Sequence, residues 1–231
     1  MVTGDPLRTP TVTEFANPDY FLFGGAANCT SPCVQVQSGF AWNHGDFSPD
    51  INTTWLGMVG PGVKKLGVSN AVWSDHTDIR PTMMALLHLH DDYNYDGVPL
   101  IGFLKSDVLP HSVRDNRSGY EALAGVYKQL NASVGQFATA TLKLSTSAIE
   151  STSPGDATYV QTDAVLTALG QQRDALAGLI SSQINGQFFG WGNHSPRLSN
   201  DIAPNGIEGS GGASGGLAGL TDQAKALIAR A

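Results

Sequence analysis

Histidine and aspartate recur in two short stretches of this 231-residue chain. In the first, Phe40-Ala41-Trp42-Asn43-His44-Gly45-Asp46-Phe47, one imidazole sits on a loop with glycine directly after it. Neutral imidazole is a common zinc ligand, and glycine lets a backbone approach a site closely. A loop histidine also reads as an ordinary hydrogen-bonded surface side chain, so His44 carries both readings. In the second, Trp73-Ser74-Asp75-His76-Thr77-Asp78-Ile79-Arg80-Pro81-Thr82, acids bracket His76. Capping and first-turn carboxylates stabilise a helix N-terminus, and that explains Asp75 and Asp78 without a metal. Catalytic zinc takes three protein ligands. The chain has no second cluster that completes such a set around His44.

The remaining chemistry-bearing residues have bland readings. His88 and His90 flank Leu89 at a helix end, where a cationic imidazole suits the helix dipole. Asp92-Tyr93-Asn94-Tyr95-Asp96-Gly97 matches the first half of a calcium-binding loop, but Phe103 stands where the bidentate glutamate belongs. Cys29 and Cys33 are spaced for a small disulfide loop or for two free thiols. Asn28, Asn52, Asn116, Asn131 and Asn193 head glycosylation sequons, which matter only in a eukaryotic secretory protein. Neither a Walker-type phosphate loop nor a Gly-x-Ser-x-Gly elbow is present.

Residues 1–18 read as an extended lead-in. Tyr20-Phe21-Leu22-Phe23, closed by Gly24-Gly25, and Thr54-Trp55-Leu56-Gly57-Met58-Val59, closed by Gly60-Pro61-Gly62, have the length and composition of buried strands. Ser74 or Asp75 caps a helix to about residue 88, with Pro81 in its first turn. Asp96-Gly97 makes a turn before the strand-like Val98-Pro99-Leu100-Ile101. Residues 19–110 therefore predict an α/β layer. Tyr120, Leu123, Tyr127, Leu130, Val134, Phe137, Thr141, Leu144 and Ala148 then fall at steps of three and four, one apolar helical stripe. Ser153-Pro154-Gly155 breaks it, and a second stripe runs from Val165 to Ile184. Residues 118–185 thus predict an antiparallel helical hairpin. Residues 186–231 read as a Gly-rich tail, with Thr221 capping a short terminal helix.

Composition narrows the function classes. The net charge is −7 with scattered acids, which leaves no basic footprint for nucleic acid. No run of eighteen apolar residues marks a transmembrane segment, and Met1-Val2-Thr3-Gly4-Asp5-Pro6 does not read as a signal peptide.

Asn43-His44-Gly45-Asp46, leading through Asp50 to Trp55-Leu56-Gly57-Met58-Val59-Gly60-Pro61-Gly62, resembles the late segment of the alkaline phosphatase superfamily. The likeness is in particular to its type I phosphodiesterase/nucleotide pyrophosphatase branch. Asp75-His76-Thr77-Asp78-Ile79-Arg80-Pro81-Thr82, followed by Asp91-Asp92-Tyr93 and Asp96-Gly97, resembles the helix near that superfamily's C-terminus, which sulfatases share. The resemblance covers roughly residues 15–105. It implies the C-terminal part of a three-layer α/β core, with His44 as one ligand of a two-zinc site. Two metals clamp a transferring phosphoryl group and activate its nucleophile.

By the same resemblance the nucleophile is a Thr or Ser, and it and most ligands come from earlier in the polypeptide. This chain alone is then expected to be inactive. Asp46-Phe47 departs from the His-Gly-Tyr-Asp order, so phosphodiesters, nucleotides, phosphomonoesters and sulfate esters all stay open as substrates. An extracytoplasmic setting is expected if the full gene carries a signal. The rival expectation is a non-catalytic interaction module acting through the helical hairpin.

Overall fold

The computed structural model describes residues 14–17, 20–22, 24, 33–36, 38–39, 48–190 and 216–231. His44 lies outside the described residues, as do Asn43, Gly45, Asp46, Cys29 and Phe23. The chain divides into two units, Val2–Val59 and Gly60–Ala231.

In the first unit the described backbone holds a single helical turn, α1 (Pro49–Asn52), with proline at its start. Cys33 is disulfide-bonded, which resolves its side of the thiol-or-disulfide alternative. Tyr20, Phe21 and Leu22 are exposed and outside any strand. Thr54–Val59 is likewise not a strand: Trp55 is 89% exposed, and no residue from 54 to 59 shares a backbone hydrogen bond with another described residue.

The expected α/β layer is therefore corrected. Among the described residues the fold is all-helical, with no strand and no sheet. The runs have strand composition, but a strand forms only where a neighbouring backbone takes up its N–H and C=O groups. No described segment supplies that partner. The one bridge among the described residues, between Val63 and Leu104, rests on Lys64 N–H to Phe103 O and Lys105 N–H to Gly62 O, both 2.8 Å. Val98-Pro99-Leu100-Ile101 is buried but turns rather than extends. Leu100 has φ −76° and ψ 69°, and Ile101 N–H bonds Pro99 O at 2.8 Å, an inverse γ-turn. A 3-10 turn over Ile101–Phe103 follows.

The second unit is built from a 3-10 turn (His76–Asp78) running into α2 (Ile79–Leu87), then α3 (His111–Asp115), α4 (Arg117–Asn131), α5 (Gln136–Ile149), α6 (Ala157–Phe189) and α7 (Leu217–Ile228). Helix α6, with 33 residues, is about 50 Å long at the α-helical rise. That length lets it pack against both α5 and α4, while α7 lies on α4, α5 and α6. The core these helices share includes Leu123, Leu130, Ile180, Ile184 and Ala224, all fully buried.

The hairpin expectation needs its own correction. The stripe from Tyr120 to Ala148 is two helices, interrupted at residues 132–135. There Gly135 passes so close to α4 that a Cβ would stand 2.6 Å from Lys128 O and 2.7 Å from Gln129 O. The break at Pro154-Gly155 is real, with Gly155 at φ 62°. The terminal helix starts at Leu217, so Thr221 lies inside it and donates to Leu217 O at 2.7 Å instead of capping.

Candidate functional site

The best-built polar constellation lies where α2 begins. Asp75 is the cap of the 3-10 turn: its carboxylate accepts from Thr77 N–H at 2.8 Å, and Asp78 reciprocates by accepting from Asp75 N–H at 3.1 Å. This is a capping box. Its two carboxylates converge on one ammonium, Lys128 of α4, with Nζ 3.0 Å from Asp75 and 2.8 Å from Asp78. Lys128 also reaches the Thr77 hydroxyl at 3.2 Å. Asp78 is fully buried and Lys128 nearly so.

The same groups fix the loop from Tyr95 to Leu100. Val98 N–H donates to Asp78 at 3.0 Å, and Leu100 N–H donates to the Thr82 hydroxyl at 2.9 Å. Thr82 in turn donates to Asp78 O at 2.6 Å. Gly97 has no alternative here, since a Cβ would stand 2.2 Å from Thr77 O. From the other side, Tyr127 OH donates to Asp96 O at 2.8 Å and Asn185 Nδ2 to Gly97 O at 3.3 Å.

Electrostatics separates the two acids. Burial raises the Asp75 carboxyl, but the Thr77 hydroxyl and Lys128 outweigh it, leaving the group below its ordinary value of 3.8. For Asp78 burial is the larger effect and holds the carboxyl above 3.8 despite Lys128 and two backbone N–H donors. Burial also raises the Tyr127 hydroxyl. Asp75, Asp78, Thr82 and Lys128 are thus committed to one another and to backbone groups, although Asn185 Oδ1 is buried without a hydrogen-bond partner among the described residues. The arrangement acts as a clamp joining the start of α2, the 95–100 loop and α4.

A second cluster is more exposed. Arg80 pairs with Asp91 at 2.6 Å, Tyr95 OH donates to Asp91 at 2.7 Å, and the guanidinium lies 4.5 Å from the Tyr93 ring centroid. Burial together with Asp91 pushes the Tyr95 hydroxyl up to about 12.

The remaining sequence candidates disperse. His76, His88 and His90 are exposed, and His90 meets Phe189 edge-on at 6.3 Å. A cavity of about 80 Å³ takes in His88 and His90 among apolar walls that include Met84, Leu109 and Phe188. Among the described residues no group of three His, Cys, Asp or Glu could hold a metal ion. Asn131, one of the sequon residues, donates to Tyr127 OH at 2.9 Å.

Sequence reasoning did not single out Lys128. The Asp75/Asp78 pair signalled that a cation would be useful, yet a lysine within an amphipathic helix gives no sign that it points inward. The chain matches no family model, no curated protein and no solved structure.

Proposed function

We propose that this chain contributes a C-terminal portion, including one zinc ligand, His44, to a metal-dependent hydrolase of phosphoric esters. The observation that carries the reading is the exposure of Trp55 and Val59, large apolar side chains that stand almost wholly in solvent. Leaving such side chains in water forgoes roughly 1.5–3 kcal/mol for each large residue relative to burying it. Such exposure suits a polypeptide that is completed by further chain, as the resemblance implies.

The clamp supports the same reading. Asp75, Asp78, Thr82, Asp96 and Gly97, which carry the second part of the resemblance, gather into one unit rather than scattering. In this reading they position the segment and do not touch substrate. The disulfide at Cys33 favours an oxidising, extracytoplasmic setting.

In this reading His44 would be one ligand of a two-zinc site whose other ligands and Thr or Ser nucleophile lie elsewhere in the polypeptide, and the zinc would supply Lewis-acid activation of the ester. The test is His44→Ala in the complete enzyme, with zinc content and hydrolysis of bis(p-nitrophenyl) phosphate as readouts. Loss of zinc together with activity is the expected result. Full activity at full zinc content overturns the assignment.

The second reading, a non-catalytic interaction module, is favoured by Ile149, Tyr159, Val160 and Val165, which stand exposed on the α5–α6 hairpin. A purified chain that is monomeric, with hairpin amides protected from exchange, supports the module. An aggregating or molten product supports the hydrolase portion.

A further inference from the structure

We draw no further inference here: the strongest candidate, the exposed apolar side chains Leu144, Ile149, Tyr159, Val160 and Val165 on the α5–α6 hairpin, carries nothing because nothing in the structure shows what covers them.

Discussion

Lys128 is the counter-charge of the fully buried Asp78 carboxylate and of the part-buried Asp75. Replacing it with methionine keeps the bulk and removes the cation, and breaking a buried pair this way costs about 3 kcal/mol. Urea denaturation of Lys128→Met should therefore show a large drop in midpoint, and a partial recovery in Lys128→Met/Asp78→Asn. An unchanged midpoint for the single variant would contradict the clamp.

The pH dependence has two opposing parts. Asp75, held below 3.8 when folded, contributes stability that is present above the unfolded value and disappears as pH falls through the folded one. Asp78, held above 3.8, contributes stability that is present below the unfolded value and is lost as pH rises through the folded one. On acidification toward 3.8 the wild type's standing against Asp78→Asn should improve, and on further acidification below 3.8 it should lose its advantage over Asp75→Asn. Chemical denaturation of the three proteins across that range checks both signs.

His88 ends α2 at φ 52°, a left-handed conformation that costs a side-chain-bearing residue roughly 1–2 kcal/mol. His88→Gly should raise the melting temperature slightly, by a net gain of about 0.5 kcal/mol after glycine's greater entropy loss. Of these residue-scale features, the capping role of Asp75 and Asp78 was readable from their spacing. The inward Lys128 was not, because only tertiary packing brings α4 against the start of α2.

Elements were legible where local chemistry decides them. Asp75 starts the turn into α2, and Pro154-Gly155 separates α5 from α6, since proline and glycine act on the backbone directly. The break between α4 and α5 was hidden because Val134 and Phe137 continue the apolar steps across it. α4 ends where Ala132 turns extended (φ −73°, ψ 149°), and Gly135 then passes tightly against the last turn of α4. Gly135→Ala and Gly97→Ala should each destabilise by about 2 kcal/mol, in the range of overpacked sites, whereas alanine at Gly125 or Gly178, each with open space around it, should not. Melting temperatures of the four variants separate the pairs. Composition misled at Thr54–Val59 and Val98–Ile101. Apolar runs satisfy the side-chain requirement of a strand, but its hydrogen-bonding requirement lies in another segment, and Pro99 with Leu100 prefers a turn.

At the scale of the whole molecule, the helices from Arg117 to Ile228 bury a continuous core, while Trp55 and Val59 stand almost wholly exposed. Amides of residues 54–59 should exchange at nearly unprotected rates in the isolated chain. The candidate site was less legible than the helices. His44 drew its meaning from a resemblance, and the ligands it would need are not gathered among the described residues.

If the chain is a hydrolase portion as proposed, alone it should show no zinc-dependent hydrolysis of bis(p-nitrophenyl) phosphate. The most direct measurement is to read the DNA upstream of the Met1 codon. An open frame of several hundred codons, encoding a Thr or Ser nucleophile and Asp/His pairs, is the result expected of a hydrolase portion. A nearby in-frame stop followed by a ribosome-binding site would contradict that account and leave the helical interaction module in its place.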